Sequence, residues 1–300
     1  MTEHEFTLAD RIAKIKSINE LYNLENNAYI SFSGGKDSTV LHYLIDEALP
    51  GNKIPRVFIN TGIEYKLLVM YVKDFAEKDS RVKIIAPKTN IKTVTQKFGF
   101  PFKSKVFAHN LHIYQNNGLT QNVKNYIKRR DFGCPKALLY TFQEGVPFPV
   151  SEKCCDKIKK APSESWSKDN GKTINITGIR AAEGGGRKIH KECTVFLDKN
   201  YKQLSKFHPL LVVNDDFIQF YINKNRIKLC DLYYPPYNFT RTGCKGCPFA
   251  LDLQAQLDTL EKLLPEERKQ CEYLWKPVYD EYRRIGYRLR KESDQPSLFD

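Results

Sequence analysis

The sequence predicts an α/β protein: a mostly parallel sheet flanked by helices, followed by a helical C-terminal extension. Three observations predict it. Short apolar runs of strand length, at residues 28–32, 56–59 and 82–85, alternate with segments whose apolar residues recur at helical spacing. The first two of these runs lead into turns with glycine and the third stops short of Pro87, which suits parallel strands joined by crossover helices. A chain of 300 residues with 41% hydrophobic residues is long and apolar enough to bury a full core.

The elements follow in order. Leu8, Ile12, Ile15, Ile18 and Leu21 give residues 7–22 a helical spacing, so a helix packs ahead of the first strand. Ala28-Tyr29-Ile30-Ser31-Phe32 is that strand, and Thr39 to Ile45 is the helix after its glycine turn. Residues 55–60 make a second buried strand ending in Asn60-Thr61-Gly62, residues 65–77 a helix, and Val82-Lys83-Ile84-Ile85 a third strand. Ligands of such sheets bind at the carboxyl ends of strands, where both turns fall. Residues 90–149 are less regular, with Lys103 and Lys105 in a loop after Pro101. Lys124 to Arg130 is basic around Tyr126, a combination that suits a phosphate backbone with a stacked base and equally a solvated helix surface. Thr173 to Thr177 is the next strand, turning at Gly178 into Arg180 and then Gly184-Gly185-Gly186-Arg187. Residues 211–229 are helical after Pro209, residues 257–284 form one or two helices around Pro265, and Glu292 to Asp300 is a polar, frayed tail. The division expected is one domain over residues 1–250 and a helical extension over 251–300.

The formal charge of +13 favours polyanionic partners, nucleotides first and nucleic acid second. No apolar stretch approaches the roughly 18–20 residues that span a bilayer. The first residues lack the basic start and apolar run of a signal peptide, so no membrane partner and a cytoplasmic location are expected. Cysteines stay reduced there, and eight of them point to ligands or chemistry rather than to disulfides.

Ser33-Gly34-Gly35-Lys36-Asp37-Ser38 joins the first strand to its helix. Paired glycines let a phosphate approach the backbone, the helix N-terminus adds partial positive charge, and Lys36, Ser33 and Ser38 add a cation and two hydroxyls. The spacing is not that of the P-loop, because two adjacent glycines precede the lysine directly. It resembles the S-G-G-x-D-S loop of the ATP pyrophosphatase (PP-loop) superfamily, whose fold is Rossmann-like and of the adenine nucleotide alpha hydrolase type. The resemblance implies that ATP is bound with Mg²⁺ at Ser31, Ser33, Gly34, Gly35, Lys36, Asp37 and Ser38, with Asn60, Thr61 and Gly62 beside the nucleoside. Lys36 then stabilises the leaving pyrophosphate, and Asp37 orients the loop or joins Mg²⁺ binding.

Cys154-Cys155 and Cys244-x-x-Cys247 supply four thiolates, enough for a tetrahedral zinc or an iron–sulfur cluster. Lys153, Lys157, Lys159 and Lys160 surround the first pair, a cationic setting that suits thiolates. Cys-Cys-x-x-x-Lys-x-x-Pro followed far downstream by Cys-x-x-Cys resembles the adenylyl-sulfate reductases within the PAPS reductase family. That resemblance implies a [4Fe–4S] cluster on Cys154, Cys155, Cys244 and Cys247 with Lys159 nearby; zinc on the same thiolates is the alternative. Ile158 departs from the family, where arginine is usual. Thr177-Gly178-Ile179-Arg180, with Arg187 following, is similar to the family's T-G-x-R element, whose arginines hold the anionic end of the nucleotide. Among the other cysteines, Cys134 in Phe132-Gly133-Cys134-Pro135 is the candidate chemical thiol, and His190 near Arg187 is a candidate phosphate contact.

Reductases of this family use a cysteine in a C-terminal tail, whereas residues 291–300 here carry none. Cys271 lies among Glu266, Glu267 and Glu272, which should raise a thiol pKa. An intact ATP loop beside cluster-type cysteines is similar to the adenylylating iron–sulfur component of DNA phosphorothioation systems. The function expected is adenylylation of an acceptor with pyrophosphate release, coupled to sulfur transfer, with Lys36, Asp37 and Arg180 in the catalytic roles. A sulfur donor such as a cysteine desulfurase and a nucleic-acid acceptor are the implied partners. The alternatives are an assimilatory adenylyl-sulfate or phosphoadenylyl-sulfate reductase, which takes adenylyl sulfate in place of ATP, and a non-catalytic nucleotide- and cluster-binding regulator.

Overall fold

A computed structural model describes residues 1–129, 133–184, 187, 191–198, 200 and 202–291. Arg130, Phe132, Gly185, Gly186, His190 and the tail from Glu292, all named above, lie outside the described residues. The chain divides into two compact units. The first comprises Met1–Asn60, Lys66–Ala86 and Ala161–Thr242; the second comprises Thr61–Tyr65, Pro87–Lys160 and the chain from Gly243 on.

The first unit holds a six-stranded sheet in the order β3-β2-β1-β4-β6-β5. Its strands are β1 (Ala28–Ser31), β2 (Arg56–Ile59), β3 (Val82–Ile85), β4 (Ile174–Ile176), β5 (Thr194–Phe196) and β6 (Leu204–Phe207). Every neighbouring pair is parallel except β5 with β6. Registers such as Ile30 opposite both Arg56 and Ile176 align the strand ends. The chain runs outward from β1 to β3 and then restarts at β4 on the other side of β1. The carboxyl ends of β1 and β4 therefore flank the point where the strand order reverses, the crevice in which open α/β sheets bind ligands.

Helices cover both faces. α1 (Glu3–Tyr22) begins at a Thr2 cap whose backbone and hydroxyl exchange hydrogen bonds with Glu5. With α3 (Lys36–Ala48) and α9 (Asp215–Lys224) it buries Ile15, Ile18, Leu41, Leu44, Phe217 and Tyr221 against Ile30, Ile176 and Phe207 of the sheet. α4 (Lys66–Lys78) packs on the same face beside α3, where Val72 joins Phe32, Phe58 and Val82, and α8 (Ala161–Asp169) takes the other face, where Ser163 meets the Tyr29 hydroxyl at 3.0 Å. Residues 211–229, expected to be helical throughout, are helical only over Asp215–Lys224, after an Asn214 cap that accepts from the Phe217 amide.

One buried polar network ties α3 to β2. Arg56 is fully buried and donates to His42 Nδ1 at 3.1 Å, to Asn52 at 2.9 Å and to Asp46 at 2.6 Å. Arg81 closes the network by donating to both oxygens of Asp46 and to Asp79. A buried guanidinium is tolerable only when paired and hydrogen-bonded in this way.

The second unit is helical. Its described elements include α5 (Ile91–Phe98), α6 (Lys105–Asn117), α7 (Gln121–Lys128), α10 (Leu253–Leu263) and α11 (Pro265–Ile285). Residues 90–149, irregular by sequence, are thus largely helical, each helix opened by an Asn, Ser or Thr cap at Asn90, Ser104 and Thr120. Lys103 stays in the loop as expected, whereas Lys105 starts α6. Pro265 stands at the first position of α11, where its missing N–H costs nothing.

Candidate functional site

The loop of the first unit is closed by its own hydrogen bonds. Ser33 and Ser38 share a bond between hydroxyls at 3.0 Å, the Ser33 amide donates to Ser38 Oγ at 3.2 Å, and the Gly35 amide donates to Ser33 Oγ at 3.3 Å. Gly34 adopts φ +70°, and a Cβ there would meet Val72 Cγ2 at 2.6 Å, so glycine is required on both counts. Gly35 caps α3 without a side-chain hydrogen bond, and the first amide of the helix, that of Lys36, is taken by Tyr233.

The loop borders a cavity of about 200 Å³ that is also lined by Gly178, Glu183, Arg187, Tyr233, Arg241 and Thr242. The Lys36 amide donates to Tyr233 Oη at 2.9 Å, and that oxygen bonds Thr242 Oγ1 at 2.8 Å. Arg180, almost fully buried, donates to Asp37 Oδ1 at 2.9 Å and to Asp215 Oδ1 at 2.8 Å. Lys36 Nζ lies 3.7 Å from the same Asp215 oxygen. The Arg180 bond, ahead of Lys36, holds Asp215 below the usual carboxylate range. Glu183, on the short turn after β4, pairs with Arg187 and, at 3.0 Å, with Arg241. Burial, then the field of Arg241, pushes the Arg187 pKa down: cations crowd one wall of this cavity.

Most of the residues named from sequence meet here. Ser31, Ser33, Gly35, Lys36, Asp37, Ser38, Gly178 and Arg187 line the cavity, although the Ser31 hydroxyl is committed to Asn175 at 2.7 Å. Asn60 follows β2 at the same end of the sheet. Thr61 and Gly62 belong to the second unit, where the Thr61 amide and hydroxyl both donate to Glu64. Tyr233, Thr242, Arg241, Glu183 and Asp215 had no assigned role from sequence. Their contacts to the loop region span separations as large as 197 positions, and no local motif encodes them.

The four motif cysteines meet in the second unit. Cys154 donates to Cys155 across 4.0 Å, and Cys244 and Cys247 lie within electrostatic reach of both. That hydrogen bond, opposed by burial and aided by Lys105 and Lys159, pushes Cys155 down, while it raises Cys154. Burial lowers Lys159, but Cys244, to which it donates, and Glu64, at 3.3 Å, outweigh it and keep the ammonium charged. The aromatic face of α11 grips the Cys244–Cys247 loop: Trp275 donates to the Lys245 carbonyl, Tyr279 to Gly246 and Tyr282 to Pro248. The Pro248 carbonyl also accepts from Arg288, and the following amide, that of Phe249, donates to Cys247. Gly246 has φ +57°, and a Cβ there would meet Cys271 Sγ at 2.7 Å. Among the described residues no group of three or more Cys, His, Asp or Glu side chains stands in ligating geometry around a metal ion. The donor set, four soft sulfurs flanked by lysines, has the chemistry of a thiolate-held group. Proximity is what the structure records.

Two further thiols are held neutral by their environment. Burial pushes Cys134 up to about 11, and burial, then Glu267, pushes Cys271 up to about 12. Cys134, the candidate chemical thiol, is thus held in its neutral form near pH 7.

Residues 27–250 match the phosphoadenosine phosphosulfate reductase domain. The chain belongs to this family. An uncharacterized protein of Methanocaldococcus jannaschii is 25% identical over 289 residues, covering 93% of this chain and 55% of that protein. The chain therefore spans about half the length of that relative. A glutamine-hydrolyzing GMP synthase component of Thermoplasma volcanium is 42% identical over 74 residues, 25% of this chain and 23% of that one. Among solved structures, phosphoadenylyl-sulfate reductase from Candida auris in a phosphate complex is 16% identical with a TM-score of 0.41, covering 73% of this chain and 82% of that chain. The U34-tRNA thiolase NcsA from Methanococcus maripaludis with its [4Fe–4S] cluster is 16% identical with a TM-score of 0.40, covering 98% of this chain and 84% of that chain. Among the described residues of this family member, no helix is long and apolar enough to cross a membrane.

Proposed function

We propose that this member of the PAPS reductase family binds ATP with Mg²⁺ at the Ser33–Ser38 loop and adenylylates an acceptor oxygen as the first half of a sulfur transfer. The observation that carries the reading is that the Ser33–Ser38 loop and the start of α3, with Lys36, line one cavity together with Arg187 and Arg241. The acceptor oxygen attacks the α-phosphorus, the bond to the bridging oxygen breaks, and pyrophosphate leaves with its electron pair. Loop amides and Lys36 stabilise that developing charge, and Arg180 fixes Asp37 so that the loop keeps its shape. A sulfur nucleophile then displaces AMP from the adenylylated acceptor. Nucleic acid is the acceptor class favoured by the charge of +13.

Cys154, Cys155, Cys244 and Cys247 would hold the cluster, with Lys159 set against Cys244. Such a cluster supplies sulfur binding or electron transfer when present. The raised pKa values of Cys134 and Cys271 favour this reading over a reductase that attacks a sulfonucleotide with one of those thiols.

The test is product analysis after anaerobic incubation with Mg-ATP, a sulfide source and RNA or DNA. Pyrophosphate and AMP are expected, with Lys36→Ala lowering the rate by about 10²-fold, the usual cost of losing one stabilising donor. Sulfite formed from adenylyl sulfate, with no pyrophosphate from ATP, overturns the reading in favour of the reductase.

A further inference from the structure

The Glu183 carboxylate has an arrangement that the ATP loop itself does not explain. It is nine-tenths buried, sits on the wall of the loop's cavity, and is shared between Arg187 and Arg241. The two arginines come from distant parts of the chain, one on the turn beyond β4 and one just ahead of the cysteine loop, and both line the same cavity as Lys36. Two guanidiniums and one carboxylate leave a net positive charge, and Arg241 keeps 64% of its side-chain surface in solvent, so it is free to re-aim.

Guanidinium binds carboxylate and phosphate in the same two-pronged way, so the contacts that now go to Glu183 are interchangeable with contacts to a phosphate. We propose that Glu183 is an internal stand-in for the polyphosphate, and that Arg241 together with Arg187 transfers from it to the β- and γ-phosphates of the bound nucleotide. The exchange sets a charge threshold. A monophosphate offers little that Glu183 does not already provide, whereas a diphosphate or triphosphate engages both arginines and compensates for their release. The site thereby selects nucleoside polyphosphates and free pyrophosphate over AMP. The inference rests on the reading of Ser33–Ser38 as a phosphate loop.

Calorimetry on the full chain tests it, with inorganic pyrophosphate, ATP and AMP as probes. Arg241→Gln is expected to weaken pyrophosphate and ATP at least tenfold and AMP less than twofold. Glu183→Gln removes the competitor, so it is expected to tighten pyrophosphate several-fold and narrow the preference for ATP over AMP. Opposite signs from the two partners of one ion pair are not produced by a purely structural role, which would weaken binding in both. Arg241→Gln sits on an exposed side chain and carries the test if Glu183→Gln fails to fold. Equal effects of Arg241→Gln on ATP and AMP, or none on pyrophosphate, overturn the inference. If Lys36→Ala abolishes binding while Arg241→Gln does not, this inference falls and the loop reading stands. If pyrophosphate binding depends on Arg241 but not on Lys36, the loop reading falls instead. A wild-type chain that binds no probe overturns both.

Discussion

Gly34 concentrates two demands on one residue, a left-handed backbone and a hydrogen where any Cβ would strike Val72. Gly34→Ala is expected to cost about 1–3 kcal/mol, because an Ala at positive φ is strained and the core behind it is close-packed. Thermal unfolding measures that cost, and ATP binding should be lost with it, since the strain relaxes by moving the amides of the loop. The two demands separate experimentally. Val72→Ala in the Gly34→Ala background removes the 2.6 Å contact but not the φ of +70°, so it should restore only part of what the single variant loses in binding. Full restoration would mean that the clash alone matters and that the backbone turn tolerates alanine.

At the scale of elements, α11 is the support of the cysteine loop. Trp275, Tyr279 and Tyr282 recur at helical spacing and donate to carbonyls at three of the four positions from Lys245 to Pro248. Tyr282 also accepts from the Lys103 amide at 2.7 Å, so Tyr282→Phe strands one part-buried donor and removes one of two donors to Pro248. The expected loss is about 1–3 kcal/mol in urea unfolding, with faster alkylation of Cys247 as its loop loosens. An unchanged urea midpoint would show that Arg288 suffices as the donor to Pro248. This platform was not legible in the sequence, because a Tyr or Trp on a helix reads as core until its hydroxyl or N–H is seen to find a carbonyl. β1 and β2 were legible from short apolar-rich runs, as buried parallel strands require, and β3 from a run that stops short of Pro87, although as the edge strand it leaves Lys83 and Ile84 exposed. β5 and β6 were not: Thr194–Phe196 is only half-buried, and Leu204–Phe207 hides its two ends while Ser205 and Lys206 between them stay more open. Helices α5 to α7 carry readable caps at Asn90, Ser104 and Thr120, and α5 and α6 close at Gly99 and Gly118, so the signal for them sits at their ends. The Ser33–Ser38 loop was legible because it is local, six consecutive residues on one turn, whereas Arg241 and Tyr233 reach its cavity only through the fold.

For the whole molecule, the network around Arg56 makes stability depend on pH in a defined direction. Arg56 donates to His42 Nδ1, so that nitrogen is unprotonated in the folded state, and burial first and then Arg56 depress His42 to about 4 against the opposing pull of Asp46 and Asp79. In the unfolded chain the same histidine titrates at about 6.5. Above pH 7 it is neutral in both states and contributes no pH dependence. As pH falls from about 6.5 to 4 the unfolded state takes up a proton that the folded state refuses, so stability falls with it, by an amount on the order of 3 kcal/mol at most. Asp46 and Asp79, both held below the usual carboxylate range, extend the loss below pH 4, where their folded forms must finally protonate. His42→Asn keeps an acceptor for Arg56 without a group that titrates in this window. Its stability should therefore fall less steeply than that of the wild type between pH 6.5 and 4, as measured by urea unfolding at each pH, and the two slopes should converge above pH 7. Parallel slopes across the whole range would mean that His42 is protonated in the folded state and that its contact with Arg56 is not the one that anchors β2 to α3.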